Sequence, residues 1–121
     1  MVSNQMDEIR INRISETMRE ELTELIEYEM EDPRVLQVTV TDVHVSPDGR
    51  KARVMVSAPT AKEQTAAINA LEHARAFLRL QLAQRLTVRH IPDLHFELDA
   101  VVDPARLNQL MKRVRKGRPK E

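Results

Sequence analysis

Residues 38–57 read VTVTDVHVSPDGRKARVMVS, and this stretch decides the fold. Apolar side chains fall on even positions at Val38 and Val40, then on odd positions at Val43 and Val45. A strand alternates its faces with period two, so the change of parity places a bulge around Thr41-Asp42. Ser46-Pro47-Asp48-Gly49 reads as a turn: proline fixes a negative φ, aspartate tolerates the bend and glycine supplies a positive φ. A second strand runs from Lys51 to Ser57, with Ala52, Val54 and Val56 on one face. The stretch is a β-hairpin with one apolar side.

On its N-terminal side, Ile11, Ile14, Met18, Leu22, Leu25 and Ile26 recur every three or four residues, which predicts an amphipathic helix from Ile9 to about Met30. Asp32-Pro33 stops it, because proline lacks an N–H and pushes the preceding residue out of helical geometry. Glu20, Glu21, Glu24 and Glu27 form the expected outer face of this helix.

On its C-terminal side, Thr60 and Glu63 fit a capping box. The stripe Ala67, Ile68, Leu71, Ala74, Leu78, Leu82 and Leu86 again has helical period. In one straight helix Arg75 would fall inside that stripe, and an unpaired buried guanidinium is costly. A bend at Ala74 to Ala76 lets Arg75 point outward; the alternative is a continuous helix with Arg75 extended along its own stem. Ile91-Pro92 introduces a third strand with Leu94, Phe96 and Leu98 inward and His95, Glu97 and Asp99 outward, and Val101 and Val102 continue the apolar run. Asp103-Pro104 suits the start of a short helix to about Met111. The reading is one domain over residues 1–112 and a basic, disordered tail over 113–121, which holds five bases.

Composition narrows the chemistry. The chain has 121 residues, no cysteine, no tryptophan, two glycines and three aromatic rings, Tyr28, Phe77 and Phe96. Thiol chemistry is excluded, and the nucleophile elbows, phosphate loops and dinucleotide fingerprints that need several glycines find no place here. His95, Glu97 and Asp99 share a strand face, but alternating polar residues are expected on any half-exposed strand, so no metal, cofactor or catalytic residue is assigned. The absence of a long apolar run argues against a membrane span or signal segment, and a cytoplasmic protein is expected.

Nineteen bases balance nineteen acids, yet the first 33 residues carry ten acids and three bases, a net of −7 that leaves +7 to the rest. Two solvated faces would account for such a separation; a nucleic-acid partner would also, since phosphates respond to a local patch. So few rings cannot build a base-stacking platform, which leaves recognition of phosphate and RNA shape by Arg and Lys. The candidates are Arg10 and Arg13 on the first helix, Arg50, Lys51 and Arg53 on the hairpin, Arg75, Arg79, Arg85 and Arg89 through the bend and beyond, and Lys112, Arg113, Arg115 and Lys116 near the tail.

The order helix, strand, strand, helix, bend, helix, strand is that of an α+β, KH-like type II domain, with a three-stranded sheet and helices packed on one face. No GxxG loop stands between the second and third helices. With RINRISETMREELTELI, EMEDPRV, the hairpin, ALEHARAFLRLQLAQRL and VRHIPDLHFELD in this order, the chain resembles the ribosome-binding factor A family from about Arg10 to Leu98. The resemblance implies a monomeric, non-catalytic factor for late small-subunit maturation, 16S rRNA processing and cold adaptation. It implies binding to the 30S subunit or its precursor at 16S rRNA, with a ribosomal protein or another assembly factor as a further partner. It also implies an RNA-facing surface along the bend, at Arg75, Arg79, Arg85 and Arg89. The family's bend reads Ala-x-Gly, where this chain has Ala74-Arg75-Ala76, which puts a positive φ there in question. The competing reading is a protein-interaction adaptor whose acidic first helix docks a basic partner.

Overall fold

A computed structural model describes residues 7–99. Helix α1 spans Glu8–Glu24 and passes into a single π-helical turn at Leu25–Glu29; a 3-10 turn follows at Pro33–Val35. Strands β1 (Thr39–Val45) and β2 (Lys51–Ser57) form the hairpin, helices α2 (Ala61–His73) and α3 (Arg75–Arg85) cross over, and β3 (Asp93–Leu98) closes the sheet. The sheet is mixed: β2 lies in the middle, antiparallel to β1 and parallel to β3. The expected domain boundary at 112, the short helix at 103–111 and the tail lie outside the described residues.

The bulge falls where the parity changes. Val40 pairs with Val56 and Asp42 with Met55, so Thr41 is the extra residue. Its buried hydroxyl donates to the Met55 carbonyl at 3.2 Å. That one residue lets Val40, Val43 and Val45 all reach the core. They meet Ala52, Val54, Val56, Leu94 and Phe96 from the neighbouring strands. Met18, Leu22, Leu25 and Ile26 of α1 and its π turn, with Leu71, Leu78 and Leu82 of α2 and α3, cover this face. Asp42, His44, Arg53 and His95 look out from the other. Leu98 departs from the expected inward set: at the end of β3 it is exposed.

Three outward N–H groups of the edge strand β1 are met by side chains. Glu27 accepts from Val40 at 3.1 Å, Asp42 from Val43 at 2.9 Å and Ser15 from Val45 at 3.0 Å. An edge whose donors are satisfied in this way is a poor template for strand addition. The π turn closes with the Met30 N–H on the Leu25 carbonyl at 2.8 Å. Its extra residue resets the helix phase beside Glu27, which the 3.6-residue period could not foretell.

The break between α2 and α3 needs no glycine. Ala74 adopts φ −92° and ψ 5°, a bridge-region geometry open to any residue, and its N–H is shared by the carbonyls of Ala70 and Leu71. Ala76 is then an ordinary residue of α3. Gly49 is the one described residue with positive φ, at 75°.

Candidate nucleic-acid interface

The nine candidate cations among the described residues divide by what their side chains already hold. Arg79 turns to the loop before β3, donating to the Ile91 carbonyl at 2.7 Å and the Pro92 carbonyl at 3.3 Å, with Asp93 3.7 Å away. Arg85 ties α3 to the α1 segment through Glu29 at 2.8 Å and Glu21 at 3.3 Å. Arg53 reaches across the sheet to Glu97 at 3.0 Å, which draws the Glu97 carboxyl below its ordinary range. Arg75 is half-exposed and pairs with Glu72. The row expected to face RNA along the bend is therefore largely occupied within the fold. Glu21 and Glu27, expected on the outer face of α1, are likewise drawn into α3 and β1.

Arg10, Arg13, Lys51 and Arg89 are exposed, and their side chains meet no hydrogen-bonding or ion-pair partner among the described residues; Arg50 feels only Asp48 through space. Lys51 lies on the open sheet face beside His44, Arg53 and His95. Arg13 is one turn along α1 from Arg10. Lys112, Arg113, Arg115 and Lys116 lie outside the described residues.

Arg10, Arg50 and Arg89 come together around a cleft of about 570 Å³. Three segments build it: the first turns of α1, the hairpin turn and the loop that leads into β3. Asp7 starts α1 by accepting the Arg10 N–H at 2.8 Å, which fixes where that arginine emerges. Gly49 turns the chain so that Arg50 stands on the rim, and its N–H closes the turn on the Ser46 carbonyl at 2.8 Å. Ser15 pins the hairpin base to α1, and the Asp93 N–H pins the third segment to the Arg50 carbonyl at 2.8 Å. The cleft is preformed by hydrogen bonds that its arginine side chains do not make.

Its floor is apolar, with Val45 and Pro92 buried and Ile14 and Val88 half-buried, while Arg10, Arg50, Arg89 and His90 stand exposed on the rim. Asp48 is the one acid of the lining. Its Oδ1 accepts from the Ser46 hydroxyl at 2.7 Å and the Arg50 N–H at 3.0 Å, which lowers its pKa and holds the carboxylate within the turn. Sequence patterning singled out neither Asp48 nor His90 as a site residue; of the floor, Ile14 and Val45 read as apolar-face residues and Pro92 as the lead-in to the third strand. The signal was the run Arg89-His90-Ile91-Pro92, where two polar rim residues precede two buried ones. His95, Glu97 and Asp99 do not converge, and no group of three metal-ligating side chains occurs among the described residues.

The comparisons with known proteins agree with one another. A model of the ribosome-binding factor A family matches residues 10–111. The chain is 49% identical over 118 residues to ribosome-binding factor A of Solibacter usitatus, covering 96% of each, and 39% identical to that of Thermomicrobium roseum, covering 96% and 92%. The crystal structure of ribosome-binding factor A from Thermus thermophilus superposes with a TM-score of 0.70 at 31% identity, over 77% of this chain and 99% of that one. A homology model of the Thermus thermophilus protein, fitted into the cryo-EM map of a 30S-RbfA complex, gives 0.63 at 34% identity, over 73% and 94%. With the family's residues matched from the first turn of α1 to beyond β3, and the same fold in its solved members, this chain belongs to the ribosome-binding factor A family.

Proposed function

We propose that this chain binds the 30S ribosomal subunit or its precursor through 16S rRNA, acting without catalysis during late maturation. The observation that carries the RNA reading is the separation of engaged from unengaged arginines. Like charges held together with a single acid, Asp48, among them weaken the isolated fold, so a rim of three such residues is better understood as a surface awaiting anions. Family membership and the fitting of a relative into a 30S complex support the choice of ribosome. The same reading takes in 16S rRNA processing, cold adaptation, a cytoplasmic site of action, a monomer and one domain over 1–112 followed by a basic tail. A ribosomal protein or another assembly factor is a further partner within it.

The adaptor alternative is weakened because Glu21 and Glu29 serve Arg85, and Glu27 serves β1. Sedimentation with 30S, 50S and 70S particles tests the reading. The expected result is cosedimentation with 30S alone, lost in Arg10→Glu/Arg50→Glu/Arg89→Glu and kept in the distant control Lys62→Glu on α2. Retention by the triple variant would remove the cleft from the interface, and absence of 30S binding by the unmodified chain would end the reading.

A further inference from the structure

The cleft has more to it than a phosphate patch requires. Contacts to backbone phosphate alone ask for an array of cations and no apolar floor, because a duplex keeps its bases inside and presents its charge outside. Here the cations stand around a concavity whose floor is aliphatic. At about 570 Å³ the cleft falls within the roughly 300–1,000 Å³ of pockets that enclose small molecules. An occupant must be anionic at its edge and flat and apolar in its body. We infer that the cleft takes one unpaired nucleotide of single-stranded RNA, its phosphate on Arg50 and Arg89 and its base against Ile14, Val45 and Val88. This deepens the ribosomal reading and rests on it for the source of the RNA.

The physics suits a chain so poor in rings. A base released from its stack presents two apolar faces, which aliphatic side chains can cover, and arginine planes stack on a base while carrying the charge its phosphate needs. Arg10 and His90 complete the rim. Asp48 stays ionised in the lining, its Oδ1 held by Ser46 and the Arg50 N–H, so the phosphate keeps to Arg50 and Arg89 and the carboxylate is left to the base. Its other oxygen is an acceptor with a use: it can take a hydrogen from an exocyclic amine, as adenine, cytosine and guanine offer and uracil does not.

The test compares a four-residue single-stranded RNA with an abasic strand of equal charge, a duplex of the same sequence, and 30S particles. Affinity and methyl chemical shifts are the readouts. The unmodified protein should bind the RNA about tenfold tighter than the abasic strand, with shifts at the Ile14, Val45 and Val88 methyls. Val88→Asn, which makes the floor polar and leaves its charge, should reduce that preference. Should RNA and abasic strand bind equally, or the duplex bind better than either, the cleft holds phosphate alone and the proposal is overturned, while 30S binding stands. A Val88→Asn variant that is folded by its amide spectrum and keeps the full preference would also overturn it. Loss of 30S binding by the unmodified chain would instead strike the ribosomal reading itself.

Discussion

At the residue scale, arginine is used here in two ways that composition cannot distinguish. Where an acceptor lies within reach, the guanidinium is part of the architecture. Arg79→Ala should leave the Ile91 and Pro92 carbonyls without their charged donor and lower stability by about 1.5–3 kcal/mol, the range for hydrogen bonds to charged groups. Chemical denaturation measures this, and a charge reversal at Arg79 would confound folding with binding. Asp32 makes a second residue-scale case. Its carboxylate accepts from the Arg34 guanidinium and N–H, and these bonds lower its pKa from 3.8 to about 2. A carboxyl depressed in the folded state contributes stability that is complete above its unfolded value and lost as pH falls toward about 2. A carboxyl-carbon NMR titration should show Asp32 ionised well below the usual range, and Arg34→Ala should raise its midpoint. An ordinary midpoint in the unmodified protein would show that the pair does not persist in solution.

At the element scale, two irregularities set the geometry of the site. Gly49 holds φ 75° at the end of the hairpin turn, beside Arg50. An L-residue there meets the left-handed penalty of roughly 1–2 kcal/mol, so Gly49→Ala should lower stability by about that amount and weaken whatever binds the cleft. The bulge in β1 is the other. Beside it, the N–H of buried Val40 points away from β2 and relies on Glu27 from the π turn after α1. Glu27→Ala should cost about 1–3 kcal/mol, the penalty for a buried donor left unsatisfied, whereas Glu27→Gln keeps an acceptor and should cost less. Equal losses in the two variants would show that charge, not hydrogen bonding, matters there. Two departures from period, one in a helix and one in a strand, are thus joined by a single hydrogen bond.

For the whole molecule, most acids of the first helical segment lie beyond its first turns, with Asp7 and Glu8 the two that stand beside Arg10. Arg10 and Glu29 are 19 residues apart on α1 and its π turn, about 28 Å at 1.5 Å per residue. The Debye length at physiological salt is only ~8 Å, so the acidic end does not cancel the field at the cleft. Neutralising the exposed Glu20 and Glu31 together as Gln should leave 30S sedimentation intact or strengthen it. A large loss without unfolding would place a basic protein on that end. If three arginines meet phosphates of a single strand, log affinity should fall against log salt with a slope near −2, from about −0.7 per contact.

Much of this was determined by sequence alone, because it depends on neighbours along the chain. Parity located the bulge, Pro-Asp-Gly the turn, Thr60 and Glu63 the cap, and the misplaced Arg75 the bend. The paired carboxylates could not be read in this way: Glu21 lies 64 residues from Arg85, and Glu97 lies 44 from Arg53. Only the folded chain brings such partners together, and so only tertiary structure decided which arginines are spent on the fold and which are left at the surface. The cleft follows the same logic. Arg10, Arg50 and Arg89 belong to three separate segments, and packing of α1 against the hairpin and the approach to β3 is what places them around one hollow.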